Sequence, residues 1–267
     1  MAVMLRDANW IAVRRAAEAD GVAIVPLGSI EQHGPHLPCG TDTYQINEIV
    51  RRTLERCDGG LPLCLCPTIE YSLVQWAAPL ASAGLSSFTT ERVILDLIFS
   101  LTDLGFRKIV FVHGHYGLVA ARSAAWEALC RGRHAMYIDV QAYELAWDEI
   151  TQICGEPLHH GGAAETSMML AIRPDLVDMR KARPGPPHLW GKDFPCPRLV
   201  QKGVYAIPTV EDLPDGNEGD PTCATAERGH RILDAIADRL APLLTELAAA
   251  PLPQRYSRPY RRALPAD

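Results

Sequence analysis

No apolar run in the chain approaches the roughly 18–20 residues needed to cross a bilayer, and the opening "MAVMLRDANW" carries no secretory apolar core. We therefore expect a cytoplasmic protein without membrane contact. An excess of positive charge is also missing. Lys and Arg number 26 against 32 Asp and Glu, for a net charge of −6 and a pI near 5.8. That balance argues against a polyanion-binding surface, so no nucleic-acid partner is expected. No CxxC pair occurs. The eight cysteines (Cys39, Cys57, Cys64, Cys66, Cys130, Cys154, Cys196 and Cys223) are scattered, and Cys64 and Cys66 form a CxC inside a strand-like run where both point one way. Reduced, mostly buried thiols follow, rather than a disulfide framework or a thiolate zinc site. No GxGxxG follows the first strand-like run, which removes dinucleotide binding. Internal repeats and low-complexity tracts are absent as well.

What is present is an alternation of short apolar runs and helical patterns. "GVAIVPL" (21–27), "LPLCLCPTI" (61–69), "KIVFV" (108–112) and "HAMYIDV" (134–140) read as buried strands. Their unbroken apolar character suits a parallel sheet covered on both faces. Residues 43–57 read as a helix, as do 90–104, where Val93, Ile94, Leu97, Ile98, Leu101 and Leu104 form a stripe, and so do 118–131 and 164–172. A last long helix is expected from "GDPTCATAE", with Asp220 as its N-cap and Pro221 at the first helical position. Its inner face would carry Ile232, Leu233, Ile236, Leu240, Leu243, Leu244 and Leu247. The expected fold class is α/β: a single three-layer α/β/α domain with a mainly parallel sheet, occupying 1–250. Residues 180–202, rich in proline, read as a long loop or lid, and 251–267 as an extended basic tail.

Ligands of open α/β sheets bind outside the carboxyl ends of the strands. Three groups of chemistry-bearing residues fall at or near that edge. Glu31, His33, His36 and Asp42 follow the first strand; His113, His115 and Tyr116 follow "KIVFV"; His159, His160 and Glu165 open a helix that otherwise runs "MMLAI". Taken singly, Glu31 or Asp42 reads as a loop or capping acid and the histidines as loop residues. A carboxylate at the edge of a core needs a partner, however, and the repetition of imidazole and carboxylate at three places points to a metal site. Without cysteine ligands, the set suits Zn2+, Mn2+ or Fe2+, with a carboxylate bridging two ions.

The segments "GSIEQHGPHLPCGTD", "VHGHYG", "HHGGAAETSMMLAIRPDLVDM" and "GDPTCATAERG" together resemble the creatininase (creatinine amidohydrolase) family, in the family's motif order. The resemblance implies a three-layer α/β metal-dependent hydrolase of cyclic or linear amides, with two divalent ions per subunit and a homo-oligomeric, often hexameric, assembly. It implies that Glu31, Asp42 and His115 hold one metal and His33 and Asp42 the other, with Asp42 bridging. Gly117 stands where creatininase has a further glutamate ligand, and Glu165 is our candidate replacement; its alternative is to orient a ligand histidine. His160 matches the family's acid/base and substrate-contacting histidine, and Tyr116 a substrate-contacting tyrosine. The Trp-Asp pair that closes over creatinine would fall near Glu156 and Pro157 and is absent.

The expected reaction is hydrolysis of a non-peptide C–N bond, in a small cyclic amide or lactam, by metal-activated water. His160 would pass a proton to the leaving nitrogen, while Trp76 and Trp190 wall the pocket. The alternatives are a deformylase or peptidase of the same family, acting on a linear formamide or a peptide end, and a metal-binding protein without turnover.

Overall fold

A computed structural model of the chain describes residues 2–57, 59–74, 82–115, 119–186, 213 and 215–253. Among the described residues, five parallel strands form one sheet in the order β1-β3-β2-β4-β5. They are β1 (Val3–Met4), β2 (Val22–Leu27), β3 (Leu63–Leu65), β4 (Lys108–His113) and β5 (Met136–Gln141). Every residue of β2 and β4 is buried, as expected of central strands covered on both faces. Pro26 sits within β2, where a missing N–H would normally break a ladder. Its carbonyl accepts from Ile69 N on the β3 side, beyond the last β2–β3 rung at Ile24 and Leu65. The missing donor therefore falls where no strand needs it.

Helices α1 (Trp10–Glu18), α3 (Ser87–Leu104) and α4 (Val119–Cys130) cover one face. Val13, Ile98 and Ala124 there join Val25, Phe111, Cys64 and Cys66 in one core, so the CxC thiols do share a face. The other face packs on α2 (Thr41–Arg56), α5 (Trp147–Cys154), α6 (Ala163–Ile172) and α7 (Ala226–Ala249), with Ile24, Val110, Ile46, Met168 and Ile236 in its core. Buried Lys108 starts β4 and reaches the carboxyl end of α7, where Nζ donates to the carbonyls of Ala248 and Ala250. A cation belongs at that end of a helix dipole.

The main departures concern boundaries and small elements. Asp220 caps a short 3-10 turn, Pro221–Cys223, not the long helix. The chain then re-extends and α7 begins at Ala226, with Thr225 Oγ1 accepting from Arg228 N. A second side-chain cap, five residues beyond Asp220, opens the helix instead. In α3 the buried arc turns toward Leu95, leaving Val93 and Leu104 41% and 43% exposed; Leu243 of α7 is also exposed. The run 61–69 supplies only a three-residue strand plus an isolated bridge from Ile69 to Leu27. The two-residue β1 and helices α1 and α5 were not anticipated. Of the loop 180–202 only 180–186 is described, and of the tail 251–267 only 251–253.

Gly229 lets α7 lie directly on α6: a Cβ there would drive into the Ser167 carbonyl. Gly229→Ala should destabilise the fold by about 1–3 kcal/mol through overpacking, although alanine is the better helix former by about 1 kcal/mol. Urea unfolding midpoints of the two proteins measure the difference.

Candidate metal centre

Chain connectivity opens a crevice above the sheet. From β2 the chain crosses through α2 to β3 on one side, while β4 lies on the other side of β2. Loops leaving β2 and β4 therefore diverge, which is where α/β sheets bind ligands. After β2, residues 28–40 fold back so that Glu31 N donates to Cys39 O. Gly34 takes φ +77, a left-handed conformation that glycine adopts without strain. The loop ends at the first turn of α2, where Asp42 sits in the positive field of the helix amino end.

Three carboxylates and two imidazoles converge there. Glu31, Asp42 and His115 each place a ligand atom within 4.8 Å of the others, and so do His33, Asp42 and Glu165. Asp42 is common to both groups. Its Oδ1 lies 3.1 Å from His33 Nε2 and its Oδ2 lies 3.0 Å from His115 Nδ1. Ser29 Oγ donates to the same Oδ2 at 2.6 Å. Glu165, in the first turn of α6, has Oε2 3.5 Å from His33 Nε2, and that oxygen accepts from Gly161 N at 2.7 Å. A third grouping joins Glu31, His33 and His160.

Backbone carbonyls hold both imidazoles in place. His33 Nδ1–H donates to Glu31 O at 2.9 Å, and His115 Nε2–H donates to Leu73 O at 2.8 Å. Each ring thereby turns its other nitrogen toward the carboxylates, the arrangement that orients histidine ligands of metals.

Glu31 is 0% exposed, yet neither of its oxygens has a hydrogen-bond partner among the described residues. His115 Nδ1 is only 2.9 Å from Glu31 Oε2, but the contact is poorly aligned for a hydrogen bond. Close approach without donor alignment is what groups aimed at a common point between them produce. A buried carboxylate left unpaired is costly. The donor set of carboxylate oxygens and imidazole nitrogens, without thiolate, fits Zn2+ or Mn2+.

Titration follows from this crowding. Burial alone would drive His33 to lose its proton, but Asp42 and Glu165 outweigh it and raise the ring to about 10. His115 is likewise held well above its ordinary range, because Glu31 and Asp42 overcome its burial. Burial opposes ionisation of Asp42 and Glu31 too, yet His33 and His115 pull Asp42 far down, and His115 lowers Glu31. Burial pushes Glu165 up to about 7 despite His33. Burial and the neighbouring charge of His33 push His160 down to about 4.

Other expected residues lie elsewhere. His36 does not project with His33; its Nε2 meets Thr166 Oγ1 of α6 at 2.9 Å. His113 ends β4 on the opposite face and pairs with Asp139 at 2.5 Å, because residues on one strand alternate faces and the chain turns at Gly114. His159 lies 3.9 Å from Glu218. His160 stacks on His33, with ring centroids 4.1 Å apart, and its Nε2–H donates to Gln32 O at 2.6 Å. Tyr116, Gly117, Trp76 and Trp190 lie outside the described residues. Sequence reading missed Ser29 and the supporting Gln45, whose Nε2 donates to Glu165 O and whose Oε1 accepts from Tyr143. Ser29 lies within the motif itself, but nothing in a sequence marks Gln45.

The creatininase family model, described as creatinine amidohydrolase, matches residues 6–244. Among characterised proteins, a mycofactocin precursor peptide peptidase of Mycobacterium tuberculosis (strain CDC 1551 / Oshkosh) is 34% identical over 230 residues, 80% of this chain and 81% of that protein. A creatinine amidohydrolase of Pseudomonas putida is 27% identical over 257 residues, 87% of this chain and 92% of that one. A solved manganese form of creatininase superposes with a TM-score of 0.78 at 23% identity, covering 94% of this chain and all (100%) of the other; a Glu-to-Gln mutant of creatininase has been solved in a zinc–zinc form. The parallel sheet, the carboxylate–imidazole cradle at its edge and these likenesses define a metal-dependent amidohydrolase. The chain belongs to the creatininase family.

In the metal-free cradle the carboxylates hold His33 and His115 above their ordinary range, and burial pushes Glu165 up to about 7. Cations can bind only as protons leave these groups, so loading should release protons and tighten as pH rises. Calorimetric titration of metal into the empty protein, repeated in buffers of different ionisation enthalpy, counts them. Release of fewer than one would contradict this electrostatic picture.

Proposed function

We propose that this chain hydrolyses a C–N amide bond with two divalent cations, one held by Glu31, Asp42 and His115 and the other by His33, Asp42 and Glu165. The observation that carries the reading is the pair of three-residue groups sharing Asp42. Divalent cations held by these residues would supply an acidified water and a polarised substrate carbonyl. The protein's share is to orient and to move protons. His33 and His115 are fixed by the carbonyls of Glu31 and Leu73, and Asp42 by Ser29. His160 is the proton carrier. Its Nε2–H is committed to Gln32 O, so a proton taken up by the ring goes to Nδ1, and burial together with the charge of His33 keeps the ring neutral in the metal-free protein. It takes a proton as water adds to the carbonyl carbon and returns it to the leaving nitrogen.

The substrate in this reading is a linear, peptide-type amide. The sequence alone favoured a small ring. Glu156, near which the creatininase lid pair would fall, instead uses Oε1 to accept from Ala163 N and Asp220 N, both at 3.3 Å. Its carboxylate is committed to fastening the start of α6 to the segment before α7. The 34%-identical relative named as a peptide peptidase supports the same choice. A panel of formamides, acyl-peptides, lactams, hydantoins and creatinine, offered to metal-reconstituted protein, tests it. Turnover confined to the rings would reverse the substrate assignment.

Asp42→Ala should strip both ions and all activity, whereas Glu165→Gln should weaken one ion, with activity recovered in excess metal. Elemental analysis of the dialysed variants distinguishes them, and a wild-type metal content in Asp42→Ala would end the bridging assignment.

His160→Ala should keep its metal and lose roughly 10²–10⁴-fold in kcat, the usual range for acid–base assistance. Metal loss in that variant would make His160 a ligand instead.

A further inference from the structure

Gln141 ends β5 at the same edge of the sheet as the cradle, its Cα paired with that of His113 at the end of β4. The side chain is 6% exposed, and neither its Nε2 nor its Oε1 has a hydrogen-bond partner among the described residues. Burying both halves of a carboxamide unpaired is rare and calls for an explanation.

Its polar neighbours do not supply a partner. Alternation along the strand puts Gln141 on the face of Asp139. Asp139, however, is committed to His113 through Oδ1 and to Arg122 of α4 through Oδ2. The ion pair fixes His113 and leaves the amide beyond it unsatisfied.

The residue is also close to the reaction centre. His113 and His115 line one small cavity together with Ser72 and Thr90. Two residues of chain separate those histidines by at most about 7 Å, and neighbouring strands lie about 4.8 Å apart. Gln141 thus stands within roughly 12 Å of His115, a distance an extended peptide covers in about three residues.

We propose that Gln141 is a specificity-determining residue, whose buried amide pairs with a peptide group of the substrate two or three residues from the bond that is cut. An unpaired donor beside an unpaired acceptor is complementary to a peptide unit, which offers a C=O to Nε2 and an N–H to Oε1. A carboxylate, phosphate or simple cation would satisfy only one of the two. This inference rests on the peptide-type reading of the site and adds to it a defined length of substrate.

A ladder of hydroxamates tests it by binding. Acetohydroxamate, and hydroxamates capped with one, two or three amino-acid residues, are titrated calorimetrically into zinc-loaded protein. In the wild type one step of the ladder, at the second or third residue, should tighten binding at least fivefold, the worth of a pair of hydrogen bonds. Gln141→Leu and Gln141→Met should lose that gain while binding acetohydroxamate as before, with zinc content unchanged and thermal midpoints equal or higher. A gain that survives both substitutions, no gain in the wild type, or lower thermal midpoints in both variants would overturn the proposal, the last by making Gln141 structural. Failure of acetohydroxamate to bind would overturn it along with the metal-centre reading. The ladder reads binding, so a protein that shows the gain yet cuts no peptide would count against the proposed reaction and still support the role of Gln141.

Discussion

Three carboxylates buried within a few ångströms of one another are the constraint to which everything else in this molecule answers. Glu31, Asp42 and Glu165 are all nearly inaccessible, and like charges so placed repel strongly in a medium that screens poorly. Such a site persists only if cations fill it. Without metal, positive charge comes from the His33 and His115 rings, each held above its ordinary range by the carboxylates it faces. In the loaded protein the same nitrogens become donors. The raised histidines and the ligand set are two views of one electrostatic demand.

The scaffold meets that demand by drawing on distant parts of the chain. Glu31 and His33 come from the loop after β2, Asp42 from the start of α2, His115 from the end of β4, and Glu165 from the start of α6. The two helical acids both occupy first turns, where unpaired N–H groups and the helix dipole favour negative charge. None of the five depends on the opposite face of the sheet, where His113, Asp139 and Arg122 form their own ion-paired group.

Much of this was legible in the sequence, for identifiable reasons. Long apolar runs marked β2 and β4 because central parallel strands must be apolar on both faces. The charged motif after β2 stood out because four chemistry-bearing residues in twelve cannot all be ordinary loop residues. The histidines were harder to sort. His36, His113 and His159 carry the same chemistry and similar positions as His33, His115 and His160, yet their direction depends on turns at Gly34, Gly114 and Gly161 that spacing does not reveal. The start of α7 was misplaced because Asp220 and Thr225 are both sound caps, and only packing decides which one opens the helix. Gln45 and Gln141, neither in a motif, show their significance only through what surrounds them.

Helix α7 carries no group of the cradle, but both α2 and α6 pack against it, and Gly229 sets how closely α6 can approach. Asp42 and Glu165 therefore share one mechanical reference, a strut whose inner face holds their spacing. Metal sites tolerate only a few tenths of an ångström in ligand position, far less than a helix shifts when its contact residue is enlarged. Damage to the inner face of α7 would then present as poor metal occupancy in a protein whose ligands are all intact. The cause would lie a helix away from the symptom.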